Sequence, residues 1–194
     1  MTTYFTKLLE TINKSIKSLD ERAFTALIEE SVQTLEAGKK IIVSGLGKNV
    51  SVCEKFVGTM ISLGQDACFM NTNSATHGDI GMVKEGDLVI VLTKSGETEE
   101  SIYLTSLLKQ RKANIWILTF RHESTLTREI EKRIILDLEQ EGDLWNIVPN
   151  NSTTINLMIL QGLAMMIVER RGVTLSDFKK NHPGGAIGAQ LKNA

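Results

Sequence analysis

The chain has 194 residues, 42% of them hydrophobic, and its 22 Lys and Arg against 23 Asp and Glu leave a net charge of −1. That length suits one domain with a sizeable core. The near-neutral balance, with Lys39-Lys40 and Lys179-Lys180 as its densest basic spots, lacks the electrostatic footprint of a nucleic-acid binder. Cys53 and Cys68 form no CxxC pair, and Met1–Lys14 is amphipathic without the apolar core of a secretory leader. Reduced core thiols in a cytoplasmic protein are therefore expected. Leu157–Val168, the longest apolar tract, is interrupted by Gln161 and is too short to span a bilayer, so no membrane association is expected.

Tyr4–Lys14 and Leu19–Ala37 read as leading helices, the second with Phe24, Leu27, Ile28, Val32 and Leu35 at helical spacing before the stop at Gly38. Lys40–Ser44 is a first strand, and Val50–Leu63 its following helix with Val52, Phe56, Val57, Met60 and Ile61 as the apolar stripe. Between them lies Ser44-Gly45-Leu46-Gly47-Lys48-Asn49. A P-loop would need Gly where Ile42 stands and Ser or Thr where Asn49 stands, and a dinucleotide fingerprint would need Gly at Val50. Both fail, leaving a glycine turn with one lysine suited to a smaller anion than a nucleotide. Asp66–Met70 is a short strand, and the polar Asn73–Gly81 segment sets His77 in a loop or short helix.

The organising stretch is Asp87–Ser101. Leu88–Leu92 is a continuous apolar, β-branched run, as in a strand buried on both faces of a parallel sheet. Thr93–Gly96 turns the chain, and Glu97–Gln110 reads as a helix with Ile102, Leu104, Leu107 and Leu108 inward. A strand ending in hydroxyls and glycine before a helix N-terminus forms an anion site. Thr93, Ser95 and Thr98 offer hydroxyls there, and Gly96 permits close backbone approach. Glu97 either complements the helix dipole or performs chemistry beyond the phosphate.

Asn114–Thr119 and Arg133–Leu138 are further strands, separated by a short helix over Ser124–Ile130. An acidic loop, Glu139–Trp145, precedes a long apolar helix over Asn150–Arg171 that opens with Asn-Asn-Ser-Thr-Thr. Thr174–Asn181 is a last short helix, and the His182-Pro183-Gly184-Gly185 tail is expected to form no element of its own. The alternation predicts a three-layer αβα sandwich on a mainly parallel five-stranded sheet, flavodoxin- or Rossmann-like. One domain is expected over 1–194, with leading helices to 38, an α/β core over 39–172 and a C-terminal helix and tail from 173. Ligands of such sheets bind beyond the carboxyl ends of the strands, which gathers Ser44–Asn49, His77, Thr93–Thr98 and Glu139–Glu141 at one rim.

Hydroxyls and amides at that rim would hold a phosphate, leaving Lys48, His77, Glu97 and Glu141 as titratable groups suited to proton transfer beside a carbonyl. His77, His122 and His182 show no metal-ligand spacing, so no metal or other cofactor is expected. His122, between Arg121 and Glu123, reads as a solvated surface residue. His77 reads as readily structural as functional, and the turn after His182 suits a pocket wall or a plain turn.

Several of these segments also carry a resemblance. Ser44-Gly45-Leu46-Gly47-Lys48, Thr76-His77-Gly78-Asp79-Ile80-Gly81-Met82, Ser95-Gly96-Glu97-Thr98, Ser152-Thr153-Thr154 and His182-Pro183-Gly184-Gly185-Ala186-Ile187-Gly188 occur in the order found in arabinose 5-phosphate isomerases. These belong to the sugar isomerase (SIS) domain family, and the likeness spans about residues 40–192. It implies cofactor-free interconversion of D-ribulose 5-phosphate and D-arabinose 5-phosphate through an enediol. The family's catalytic lysine falls on Lys48, its glutamates on Glu97 and Glu141, and its histidines on His77 and His182. The second histidine is supplied by a neighbouring subunit of a homotetramer. Ser44, Gly45, Gly47, Thr93, Ser95, Gly96, Thr98, Ser152 and Thr153 are the expected substrate-binding residues.

Within the set, Glu97 and Glu141 are both candidates for the base on carbon, with Glu141 favoured; Lys48 is read as stabilising the enediolate, and His182 as assisting ring opening or oxygen proton transfer, with His77 as a positioning group. Two departures stand out. The family's Ser-Asn-Ser-Gly-Glu is Thr93-Lys94-Ser95-Gly96-Glu97 here, adding positive charge near the phosphate. The family's long form continues into paired CBS domains, whereas this sequence ends at Ala194, so a short form or a piece of a longer protein is expected. Other aldose–ketose isomerases of this fold and a sugar-phosphate sensor are the competing readings; the sensor would need a DNA-binding module, and none is legible.

Overall fold

A computed structural model describes residues 2–192. In chain order the elements are α1 (Thr2–Lys17), α2 (Glu21–Glu36), β1 (Ile41–Gly45), α3 (Asn49–Ser62), β2 (Ala67–Asn71) and α4 (Thr72–Ala75). A 3-10 turn over Asp79–Met82 leads to β3 (Leu88–Leu92), α5 (Glu99–Gln110), β4 (Asn114–Thr119), α6 (Thr125–Glu129) and β5 (Arg133–Ile135). Helices α7 (Asn151–Arg170), α8 (Leu175–Lys180) and α9 (Gly185–Lys192) follow. All strand pairings are parallel, in the order β2-β1-β3-β4-β5.

The period-two pleat divides the strand residues between two helix layers. Ile41, Val43, Leu88, Ile90, Leu92, Trp116 and Leu118 share a core with the buried faces of α2, α3 and α7. Ile42, Val89, Val91, Ile115 and Ile117 pack on the other side against α5 and α6. Strand β3, third of the five, is buried at every position, which is why its sequence does not alternate. The expected three-layer parallel sandwich is therefore present. Helix α7 is long and apolar enough to cross a membrane by length and composition, but Ile155, Ile159, Leu163 and Ile167 bury its inner stripe against the sheet.

Four local expectations are corrected. Helix α5 begins at Glu99, because Thr98 is extended and Ser95 turns the chain by accepting from the Glu97 amide, so Glu97 lies outside the first turn. Ile61 points to solvent instead of joining the stripe of α3. Strand β5 stops at Ile135, since the Asp137 amide donates to Ser18 Oγ at 2.8 Å and draws the chain toward α1. The tail forms α9, which folds back so closely that a Cβ on Gly188 would lie 2.8 Å from the His182 carbonyl oxygen.

Candidate active site

After β1 the chain goes to β2 on one side, and β3 is then laid on the other. The two loops leaving β1 and β3 diverge at this switch point and open a crevice at the carboxyl edge of the sheet. A cavity of about 230 Å³ occupies that position. Its walls come from the β1–α3 loop (Gly47, Lys48, Asn49), the β3–α5 loop (Thr93, Lys94, Thr98) and the first turns of α7 (Ser152, Thr153, Asn156).

Each wall has a local cause. Gly47 takes φ +56°, which lets the chain turn directly into α3 and leaves Lys48 exposed at the helix start. Gly45 admits the Asn49 Cβ, which would stand 2.9 Å from a Cβ at that position. In the second loop, Thr93 Oγ1 accepts from the Gly96 amide at 3.1 Å and Ser95 Oγ accepts from the Glu97 amide at 3.1 Å. Both hydroxyls keep their own proton to donate. Thr98 stands at the N-cap of α5 with no side-chain capping bond, so its hydroxyl is uncommitted where it faces the cavity. Gly96 has φ +67°, and a Cβ there would lie 2.1 Å from Ser124 Oγ. Its glycine is set by the packing of the loop on α6 as well as by any ligand.

Glu141 lies behind this wall, not in it. Its residue is 1% exposed, and its carboxylate accepts from the Asn150 amide at 3.0 Å, the Ser152 amide at 2.9 Å and Ser152 Oγ at 2.7 Å. It thereby closes the N-terminal end of α7, where helix dipole and free amides favour an anion. The fourth partner is Lys94, whose Nζ lies 2.5 Å from Glu141 Oε1. Burial pushes the Glu141 carboxyl up, but the hydrogen bonds from Lys94, Ser152 and Asn150 outweigh it and hold the group below its ordinary value. Asn146 supports the turn by accepting from the Glu141 amide at 2.6 Å.

Glu97 is exposed and faces the other way: its Oε1 accepts from the Thr125 amide at the start of α6, at 2.8 Å. That bond with Thr125 holds its carboxyl below the ordinary range. Ser44 is fully buried and shares a hydrogen bond with Thr72 Oγ1 at 2.9 Å, so its hydroxyl is spent behind the strands. Asn156, 1% exposed on the cavity floor, donates to Asn49 Oδ1 at 3.0 Å. Sequence reasoning did not single out Asn156, nor did it pair Lys94 with Glu141. Only the departure at Lys94 from the family pattern hinted at the second.

The histidines stand elsewhere within one chain. His77 lines a separate surface cleft with Asn73, Thr76, Glu99, Glu100 and Tyr103. His182 stacks on Phe178 with ring centroids 3.9 Å apart, and its Nδ1 lies 3.0 Å from the Phe178 carbonyl oxygen. His122 is at the surface, 2.9 Å from Asp137. Among the described residues no three His, Cys, Asp or Glu side chains are placed to hold a metal ion. Cys53 is buried in the core, which pushes its thiol up to about 12, so it is no nucleophile.

A parallel sheet with a cationic, hydroxyl-lined crevice at its switch point is the setting of an α/β domain that takes a small anionic ligand. Residues 34–166 match the SIS domain, and the chain belongs to that family. It is 36% identical over 163 residues to the arabinose 5-phosphate isomerase KdsD of Pseudomonas aeruginosa, a match covering 84% of this chain and 50% of that protein. KdsD of Escherichia coli K12 is 34% identical over 152 residues, covering 78% and 46%. The chain thus spans about half the length of the curated relatives it matches. Among solved structures, the E. coli CFT073 protein c3406 in complex with arabinose 5-phosphate superimposes with a TM-score of 0.85 at 28% identity, covering 93% of this chain and 94% of that one.

Proposed function

We propose that this chain interconverts D-ribulose 5-phosphate and D-arabinose 5-phosphate through an enediol, without metal or organic cofactor. The observation that carries the reading is the switch-point crevice, where Lys48 and the free Thr98 hydroxyl face Ser152 and Thr153. The likeness to KdsD and to the c3406 protein with its bound arabinose 5-phosphate supports the choice of sugar. The phosphate is held by the Thr93–Thr98 loop, Ser152 and Thr153 line the wall beside it, and Gly45 and Gly47 shape the opposite wall. Glu141 takes the proton from carbon, Lys48 stabilises the enediolate oxygen, and Glu97 fixes the phosphate loop to α6.

His182 and His77 lie outside the crevice of their own chain. In this reading they complete the site of a neighbouring subunit in a homotetramer, His182 aiding ring opening and His77 positioning. Tyr4, Phe5 and Leu9 on α1 and Met158, Met165 and Met166 on α7 are exposed and offer apolar surface for such assembly. Residues 1–194 act as one domain, and the free thiols Cys53 and Cys68 suit a reducing cytoplasm.

Lys94 favours a second reading, in which the same chemistry acts on a different sugar phosphate. Incubating the pure protein separately with ribulose 5-phosphate, a hexulose 6-phosphate and sedoheptulose 7-phosphate, and identifying the aldose by chromatography, tests both. Arabinose 5-phosphate formed from the pentulose alone is the expected result. Turnover of a longer ketose alone would transfer the function to it, and binding without turnover would make the chain a sensor.

A further inference from the structure

Lys94 stands between two anion positions. Its side chain is 44% exposed and lines the crevice beside Thr93 and Thr98, yet its Nζ is 2.5 Å from a carboxylate whose side chain is 1% exposed. With Lys94 there, Glu141 holds four donors: the Asn150 and Ser152 amides on Oε2, and Ser152 Oγ and Lys94 on Oε1. A carboxylate so fully engaged has no lone pair to direct at a substrate carbon. Removing the ammonium would free one on Oε1 and leave three donors from the start of α7 to keep the carboxylate in place.

We propose that Lys94 is a substrate-binding residue that exchanges its contact with Glu141 for one with the phosphate of the sugar, so that phosphate binding uncovers Glu141. The proposal rests on the sugar-phosphate reading of this crevice. A phosphate carries up to about two negative charges and three acceptor oxygens against one charge on the carboxylate, so it competes for the ammonium on favourable terms. The flexible four-carbon stem of lysine allows the transfer without backbone movement.

The charged neighbours permit the exchange. Lys94 is the one charged group in contact with the Glu141 carboxylate among the described residues. Glu139 turns away to pair with Lys14 at 2.8 Å, and the Asp143 carboxylate accepts from the Trp145, Ile147 and Val148 amides. Lys48 lines the same crevice and stays available to the sugar. Once its cation has left, Glu141 also becomes a stronger base, because only the Asn150 and Ser152 bonds then offset the cost of burying its charge.

Calorimetric titration with inorganic phosphate and with D-arabinose 5-phosphate tests the exchange without relying on turnover. Lys94→Met should weaken both ligands roughly tenfold, the scale of one charge-assisted hydrogen bond, and Lys94→Arg should restore most of the loss. Glu141→Gln should bind both ligands roughly threefold tighter, since the ammonium no longer has a competing anion. That gain should vanish in the double variant. Wild-type affinity in Lys94→Met would overturn the proposal even if Glu141→Gln failed to fold, as would a folded Glu141→Gln protein with no gain. Arabinose 5-phosphate that binds with this pattern but is never isomerised would refute the isomerase reading and leave the exchange standing.

Discussion

Glu97 and Glu141 each accept a backbone amide at the start of a helix, α6 for the first and α7 for the second. Water reaches one and not the other. Glu97 is exposed and makes one such bond, so it ties a loop down without being committed as a charge. Glu141 is buried with four donors, one of them the ammonium of Lys94. The same type of contact is therefore a tether at one helix and, at the other, a charge whose strength as a base depends on its partners. In chain order both are glutamates near a helix start; depth below the surface separates them.

The largest expected effect is on turnover. Glu141→Gln should lower kcat by about 10²–10⁴-fold, the range for loss of a general base, with ligand still bound. Glu97→Gln should lower kcat less and raise KM, because its loss loosens the loop that holds the phosphate. Steady-state kinetics on the two variants would break the comparison if the order were reversed.

Gly96→Val probes the tether from the opposite side. A β-branched residue at φ +67°, with Ser124 Oγ 2.1 Å from its Cβ, should cost about 2–3 kcal/mol. For a chain of this size that lowers Tm by about 4–12 °C, measurable by calorimetry. An unchanged Tm would mean that the packing of this loop on α6 is not what demands glycine.

Thr98→Val sharpens the assignment of the phosphate loop. Because the Thr98 hydroxyl makes no capping bond, the substitution should leave Tm nearly unchanged while raising KM roughly tenfold. A fall in Tm with unchanged KM would make Thr98 a structural residue.

The smallest expected effect is on the pH dependence of stability. The folded Glu141 carboxyl sits below its ordinary value of 4.5, so on acidification the unfolded chain takes up the proton first. Its contribution is complete above that value and disappears as pH falls through the folded one. Glu141→Gln should therefore flatten the decline of Tm below about pH 4.5 more than Glu97→Gln does. Equal slopes in the two variants would erase the distinction drawn from burial.

The sheet was legible because its signals are local. The apolar run Leu88–Leu92 and the glycine turns at Gly47 and Gly96 each report a neighbour within a few residues. The corrected positions depend on distant partners: β5 is cut short by Ser18, just past the end of α1, and α9 is seated on its own His182-Pro183 turn. Within the site, the Lys94–Glu141 pair joins two loops far apart in sequence, so the sequence shows an odd lysine but not the carboxylate that takes it. Asn156 is not legible in the sequence, because an asparagine in an apolar helix carries no pattern until Asn49 is brought against it.

The direct test of Glu141 as the carbon base is solvent exchange. Ribulose 5-phosphate incubated in D₂O with wild type, Glu97→Gln and Glu141→Gln, and followed by NMR, reports proton removal whether or not product is released. Wild type and Glu97→Gln should place deuterium at C1 of the ketose and C2 of the aldose, and Glu141→Gln should place none. Normal labelling by Glu141→Gln, with none by Glu97→Gln, would move the base to the exposed glutamate and contradict the account.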